Sequence, residues 1–299
     1  QKAIMDLLME NTPIAANDLI QLIRQEYGYN AQNIAANYLK PFSVYYHKGV
    51  YSVDQKPMST ANQIRLKEAL TEDFYYMDEI RRIYSRLVPE GDLEEINPYN
   101  LKSMGFSVFS RYVLQNYPSL EAYFREILTK EDVADLTPYK KRFAYVQAFY
   151  QTFTELRKSR EIIEFEPNQA IRMEKLIRAG VTPEMLQDFC DEVYDFVEEG
   201  AYFSAKSLRL SGFSSDLYDL GFSDWFYANL LIFDERFSYG LMFGALILYK
   251  GKRTISIKSF EMDRIRARGV MDVYDLSREL KEIYGCRLEE EREVIYKVQ

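Results

Sequence analysis

Apolar side chains near the N-terminus recur with the three-and-four spacing of α-helices. The spacing predicts helices over residues 1–9, 17–28 and 31–39. Asn30 is a residue type that caps helix N-termini, and Gly28 readily takes the left-handed conformation that ends a helix. We therefore expect three consecutive helices. The apolar and aromatic residues that follow the spacing are Ile4, Leu7, Leu8, Leu19, Leu22, Ile23, Tyr27, Ile34 and Tyr38.

A β-hairpin is predicted directly after these helices. Pro41 prevents the third helix from continuing, and residues 42–46 and 50–53 are two runs of high β propensity. The turn His47-Lys48-Gly49 separates the two runs. A short turn between two such runs is typical of a hairpin.

The tripeptide Gly-Phe-Ser occurs three times, at 105–107, 212–214 and 221–223. Glycine just past a helix end tolerates a positive φ, and serine can cap the next helix. The phenylalanine between them can pack on that next helix as a hydrophobic staple. We therefore interpret the three copies as corners between helices and not as a chemical motif.

Three helices followed by a hairpin resemble the winged-helix superfamily. The residues that carry the resemblance, all within 1–58, are Leu19, Leu22, Tyr27-Gly28, Ile34 and the wing Tyr46-His47-Lys48-Gly49. The resemblance implies that the third helix would enter the DNA major groove and that the wing would contact the backbone or minor groove.

Short internal repeats extend this pattern along the chain. Asp18-Leu19 and Tyr27-Gly28 recur as Asp275-Leu276 and Tyr284-Gly285 at one common offset. A second offset relates two of the Gly-Phe-Ser copies, and Lys48-Gly49 recurs as Lys250-Gly251 in what is predicted to be a later wing. Repeats of this size usually stack as an array.

We therefore expect a mainly α fold with small β-hairpins, arranged as a tandem array of winged-helix-like modules. The predicted boundaries are module one at 1–58, module two at 60–135, a helical connector at 136–179, an acidic module three at 180–257, and module four, truncated, at 258–299 with a third helix at 289–296.

Charge is unevenly distributed in this chain of 299 residues with net charge −8. Residues 180–240 hold twelve acidic and three basic residues, a net charge of −9, so the remainder is close to neutral. There is no signal-peptide pattern and no apolar run of the roughly 18–20 residues that cross a bilayer. Cys190 and Cys286 are too few for a disulfide framework. We expect a cytoplasmic protein with no membrane partner.

The ingredients of an enzyme site are sparse. His47 is the only histidine, and the Gly-rich phosphate-binding patterns are absent. Asp191, Asp195 and Glu198 share a helical face that could hold a divalent cation, but no chelating loop accompanies them, which favours a solvated helix face. We expect no enzymatic activity, no cofactor and no metal.

Nucleic-acid binding is the stronger candidate. The third predicted helix would present Asn30, Gln32, Asn33, Asn37 and Lys40 outward, and the wing would present His47 and Lys48. Asn and Gln can form two hydrogen bonds with adenine, and no acidic residue between positions 32 and 53 would repel phosphate. The alternative is an Asn-rich polar face without a ligand.

Two further basic stretches could follow phosphates. Residues 250–268 carry seven basic and two acidic residues, a net charge of +5, and begin with Lys250, Lys252 and Arg253. Lys140-Lys141-Arg142 precedes the aromatic stripe at 143–153, which lies on a helix predicted at 139–159. Ordinary surface charge, or pairing with the acidic module, would explain either stretch equally well.

The leading hypothesis is a non-enzymatic regulatory protein that binds DNA and forms part of a longer chain. The competing hypothesis is a scaffold of degenerate winged helices that docks a protein partner or another copy of itself. Its basis is the acidic module, with aromatic residues that could be exposed around Trp225, Phe226 and Tyr227.

Overall fold

The structure, a computed structural model, describes residues 2–53, 56–109, 111–289 and 294. It is mainly α-helical with small three-stranded antiparallel sheets, which confirms the predicted fold class at that level. The chain divides into two compact units, Gln1–Tyr123 and Phe124–Gln299. In the part of the chain that the structure describes, no helix is long and apolar enough to cross a membrane.

One order of elements recurs four times: a helix, a short strand, two more helices, then two antiparallel strands with two residues between them. In each sheet the short strand pairs with the last strand, which also pairs with the middle one. We call these segments the first repeat (residues 2–53), the second repeat (60–114), the third repeat (120–172) and the fourth repeat (183–250).

The first repeat follows the predicted order, with one correction. Its left-handed Gly28 ends the second helix as predicted. Of the run predicted as a strand at 42–46, residues 42–45 are not a strand, because 40–45 form a 3-10 helix with Pro41 in its first turn. Only Tyr46 lies in a strand. Leu39 and Phe42 are three residues apart and both buried, a spacing that fits three residues per turn. The elements are α1 (Lys2–Asn11), β1 (Ile14–Ala15), α2 (Ala16–Tyr27), α3 (Ala31–Asn33), a π-helical turn (Ile34–Tyr38), β2 (Tyr46–His47) and β3 (Val50–Tyr51).

The second repeat has a short third helix. An Asn97 N-cap and Pro98 begin that helix, which has only six residues. Gly105 ends it with φ 92°, but Ser107 belongs to a strand and caps no helix. The elements are α4 (Thr60–Ala69), β4 (Phe74–Tyr76), α5 (Met77–Leu87), a 3-10 turn (Leu93–Glu95), α6 (Pro98–Ser103), β5 (Ser107–Phe109) and β6 (Tyr112–Leu114).

The third repeat corrects the predicted helical connector at 136–179. Residues 133–135, predicted to end module two, pair with 169–172 and so belong to the same sheet as 162–166. The single helix predicted at 139–159 is instead two helices separated by a turn at 143–146. The elements are α7 (Leu120–Thr129), β7 (Val133–Asp135), α8 (Thr137–Arg142), α9 (Gln147–Lys158), β8 (Ile162–Glu166) and β9 (Gln169–Arg172), followed by α10 (Met173–Arg178).

The fourth repeat lies within predicted module three. Left-handed Gly221 and the Ser223 cap precede its third helix, as predicted from Gly-Phe-Ser, and Phe222 stacks on Phe226 at 4.3 Å. The elements are α11 (Pro183–Phe196), β10 (Tyr202–Phe203), α12 (Ala205–Leu210), a 3-10 turn (Tyr218–Leu220), α13 (Asp224–Leu231), β11 (Phe237–Met242) and β12 (Ala245–Lys250).

Two more helices, α14 (Ile257–Arg268) and α15 (Val273–Glu282), follow the fourth repeat. Gly285 is left-handed, as its counterpart Gly28 is. The third helix predicted at 289–296 lies, apart from Glu289 and Val294, outside the described residues.

The third helix of the fourth repeat, α13, is covered by β8 of the third repeat. Its residues Phe226 to Leu231 are all buried. At this contact Arg157 of α9 forms an ion pair with buried Glu164 at 3.1 Å and donates a hydrogen bond to Asn229. Its guanidinium also lies between the rings of Phe153 and Phe233, 5.1 and 4.8 Å from their centroids. Burial lowers the pKa of Arg157, and Glu164 opposes this by favouring the charged form.

We predict that Arg157→Met lowers the local unfolding free energy of α13 by about 3 kcal/mol, because it leaves buried carboxylate and amide oxygens without this partner. Amide hydrogen exchange of α13 measures this change. The control is Arg278→Met, since Arg278 pairs with Asp275 at 3.5 Å while both side chains are more than 60% exposed. That variant should change stability by less than about 0.5 kcal/mol. Equal effects of the two variants would contradict the assigned role of Arg157.

Candidate nucleic-acid interface

The outer face of the first repeat's third helix is made of side-chain amides. Gln32, Asn33 and Asn37 are exposed, whereas Ile34 on the opposite side is fully buried. Asn37 Nδ2 donates to Asn33 Oδ1 at 2.7 Å, so the two amides lie together on successive turns. We call this amide-rich helix, with the turn that follows it, the amide face (residues 30–40).

Asn30 and Lys40 lie at the two ends of the amide face. Asn30 Oδ1 accepts a hydrogen bond from the Gln32 backbone N–H at 2.9 Å, which confirms the predicted N-cap. The Asn30 side chain therefore has a local structural role. Lys40 is exposed just after the π-helical turn, at the start of the 3-10 helix.

Stacked tyrosines flank the amide face, and the sequence pattern did not single them out. The ring of Tyr29 lies between those of Tyr27 and Tyr38, with centroid distances of 5.9 and 4.6 Å. Tyr27 follows the helical apolar spacing, yet it is 40% exposed, and Tyr29 is 38% exposed. The spacing Tyr-Gly-Tyr around the left-handed Gly28 is the signal that could have located this stack, because the turn brings both rings to one side.

The predicted wing is a tight two-residue turn. Lys48 and Gly49 both have positive φ, 48° and 89°, as a type I′ hairpin turn requires. His47 and Lys48 are exposed, and Tyr46 is 47% exposed. From Tyr27 to Val53 there are two lysines and no acidic residue.

Lys250 is not a free cation on a wing, contrary to the sequence-based prediction. Its Nζ donates to the carbonyl oxygens of Tyr194 and Val197 at 2.7 and 2.9 Å, at the C-terminal end of α11. It also lies 3.9 Å from the centroid of the Tyr194 ring. Lys250 is the last residue of β12 and Gly251 comes directly after it, whereas the turn of this hairpin is Phe243-Gly244.

Arg253 is likewise engaged within the protein. It pairs with Asp263, and its guanidinium lies 5.0 Å from the Tyr249 ring centroid. Of the three predicted basic residues at 250–253, Lys252 alone is exposed. The structure therefore does not make a basic wing of this segment.

The aromatic residues behind the scaffold hypothesis are not exposed. Phe226 and Tyr227 are fully buried, and Trp225 is half-buried. The Tyr227 hydroxyl is hydrogen-bonded to the carbonyl oxygens of Leu217 and Tyr218, and burial raises its pKa. Phe226 and Tyr227 belong to the core of the fourth repeat.

The groups that could support catalysis or metal binding are dispersed or paired. Asp191, on the predicted acidic face, pairs with Arg236 at 2.6 Å. Within residues 2–53, 56–109 and 111–289, no three His, Cys, Asp or Glu side chains are placed to hold a metal ion. Burial raises the pKa of both Cys190 and Cys286 to about 12, so neither thiol is ionised at neutral pH.

We predict that Lys250→Met destabilises the fourth repeat by about 1.5–3 kcal/mol, because two carbonyl oxygens lose a charged donor. Urea unfolding, followed by hydrogen exchange of α11, measures the loss. The matched control Lys252→Met removes an exposed lysine two residues away and should leave stability within about 0.5 kcal/mol of the wild type. Equal stability of the two variants would show that the Lys250 ammonium does not hold the end of α11.

The chain matches no protein-family model, and it matches no curated protein. The role of the amide face and the wing is therefore inferred from their own geometry and chemistry. The surface that combines exposed amides, stacked tyrosines and two lysines without any acidic residue lies in the first repeat.

Proposed function

We propose that this protein is a non-enzymatic regulator that binds duplex DNA, built from tandem winged-helix-like repeats. The observation that carries the proposal is the surface at residues 27–53, where the amide face and the wing of one repeat are both exposed and free of acidic residues. Each of the two elements has a distinct chemical match in a DNA duplex.

The amide face matches the edges of bases. An α-helix fits the major groove, where an Asn or Gln amide can both accept a hydrogen bond from adenine N6 and donate one to adenine N7. Asn33 and Asn37 share one hydrogen bond, and both side chains are exposed, so their remaining donor and acceptor atoms face solvent. The proposal assigns base reading to these two residues and to Gln32.

The lysines and the wing match the phosphate backbone. Lys40 and Lys48 form no ion pair with the described residues, so both ammonium groups are available for phosphates. His47 and the hydroxyl of Tyr46 add hydrogen-bonding groups of the kind that position a protein on a duplex. The net charge of −8 opposes non-specific binding, so this local surface is where the duplex would be held.

The repeated order of elements supports the same proposal at the level of the fold. A helix, strand, helix, helix and two-stranded wing is the order expected of a winged helix, and it recurs four times. Of the four third helices, that of the first repeat presents its polar face to solvent, whereas α13 of the fourth repeat is buried. The repeats therefore differ in role.

A second candidate function is protein docking by α14 and the turn after it. Met262 and Ile265 share a face of α14 and are 43% and 44% exposed, and Val270 is 99% exposed. Apolar side chains grouped in this way are typical of contact surfaces. A protein partner or a second copy of the chain would be the occupant.

We predict that Lys40→Glu/Lys48→Glu weakens binding to a 30-base-pair mixed-sequence duplex at least tenfold, measured by fluorescence anisotropy at low salt. If each lysine contacts one phosphate, the slope of log affinity against log salt should fall by about 2. The control Lys67→Glu/Lys175→Glu makes the same change in net charge at exposed positions elsewhere and should reduce the affinity far less.

Two results would overturn this proposal. One is the absence of duplex binding by the wild-type chain at 50 mM salt. The other is an equal loss of affinity in both double variants, which would indicate an effect of net charge alone. A wild-type chain that binds no duplex and sediments as a dimer would favour docking by α14.

A further inference from the structure

We infer that the third repeat carries a second duplex-binding surface, formed by α8, the turn at 143–146 and the outer face of α9. This inference rests on the proposed function, since it takes the ligand to be duplex DNA as well. It assigns phosphate contacts to Lys141 and Lys158 and a sugar-phosphate contact to Tyr145. We call these elements the α8–α9 surface (residues 137–158).

Local charge is the first observation. Residues 136–160 contain six basic residues and one acidic residue, a net charge of +5 in a chain whose total is −8. Four of the six interact within the protein. Lys140 and Arg157 pair with Glu164, Arg160 lies 3.6 Å from the Cys190 sulfur, and Arg142 also has a partner. Lys141 and Lys158 are exposed and form no ion pair with the described residues.

The two-sided character of α9 is the second observation. Phe149, Phe153 and Leu156 are buried on one side. The opposite side follows helical spacing and is exposed, and it consists of Gln147, Tyr150, Gln151, Thr154, Glu155 and Lys158. At 12 residues, α9 is twice as long as the third helix of the second repeat. It offers amide and hydroxyl groups over three turns, which is the chemistry that contacts base edges and phosphates.

Tyr145 is the third observation, because the fold holds its ring in solvent. It is 95% exposed, while its neighbours Phe143 and Val146 are 3% and 1% exposed. Backbone hydrogen bonds from Val146 to Phe143 and from Phe149 to Val146, of 2.9 and 3.0 Å, fix the turn. The turn fixes the backbone at Tyr145, so binding has to order only the torsions of its side chain. Its hydroxyl can donate to a phosphate while its ring packs on a sugar.

The other repeats explain why this surface belongs to the third one. In the fourth repeat the corresponding helix, α13, is buried from Phe226 to Leu231, so it has no exposed polar face along its length. In the second repeat the side chain of Asn100 on α6 is buried and bonds to the backbone of Lys56 and Glu95. The exposed residues of α6 are Tyr99, Lys102 and Ser103, so that helix presents one lysine and no exposed side-chain amide.

The test uses the whole 299-residue chain and the same 30-base-pair duplex. Lys141→Glu/Lys158→Glu should weaken binding at least fivefold and reduce the salt slope by about 2, the value for two lost phosphate contacts. Tyr145→Ala should weaken binding about threefold or more while the salt slope stays within about 0.5 of the wild type, because it removes no charge. The control is Lys67→Glu/Lys175→Glu, which makes the same charge change at exposed sites outside this surface.

The outcomes separate this inference from the proposed function. Binding that is weakened by Lys40→Glu/Lys48→Glu but is unchanged in affinity and slope by Lys141→Glu/Lys158→Glu would overturn the second surface alone. Absence of wild-type binding would overturn both. Because the substituted side chains are exposed, circular dichroism and amide exchange of α9 should match the wild type, and a loss of that protection would attribute weaker binding to unfolding and contradict the assignment.

Discussion

Antiparallel pairing between a very short strand and the last strand of the same repeat is the constraint on which this structure depends. The short strands have only two or three residues, as in β1, β4, β7 and β10. Each nevertheless ties the segment between the first two helices to the wing, and so closes a core of about 50 residues, a size that is only marginally stable alone. Once the short strand and the last strand are paired in this way, the third helix packs one of its faces on the core of the repeat. Whether the other face remains in solvent depends on its neighbour.

The third and fourth repeats show how a neighbour removes a binding surface. Strand β8 lies on α13, and the cation of Arg157 meets the carboxylate of Glu164 and the amide of Asn229 at that contact. The fourth repeat thereby gains a larger core, and its third helix loses its free face. The same arginine belongs to α9, whose own outer face remains exposed. The third helix of the fourth repeat, α13, is therefore used for packing. The third helix of the third repeat, α9, keeps an exposed outer face.

Local signals in the sequence were sufficient for much of the first repeat. Gly28 and Asn30 act within a few residues of their own positions, and so does the Lys48-Gly49 turn, so each was predictable. The predicted end of module two at residue 135 was wrong, because strand β7 is only three residues long and its partner strand lies more than 30 residues later. The Phe143-to-Val146 turn also has no glycine, so the aromatic stripe looked like one helix.

The sequence predicted the candidate site only where the site consists of exposed side chains along one helix. Lys250 and Arg253 resemble Lys48 in sequence, but they meet the end of α11 and Asp263 respectively. Such contacts join segments that are far apart in the chain or belong to different elements, and no local pattern reports them. Tyr145 was missed for the related reason that its exposure is set by the burial of Phe143 and Val146 around it.

We propose, above all, that third helices with an open polar face hold duplex DNA and that the buried one does not. Amide hydrogen exchange of the whole chain, compared with and without a saturating mixed-sequence duplex, tests this most directly. We expect new protection at residues 27–53 and 139–158, with no change in α13, which is already protected by packing. Protection confined to α14 and α15, or no change at residues 27–53, would contradict it.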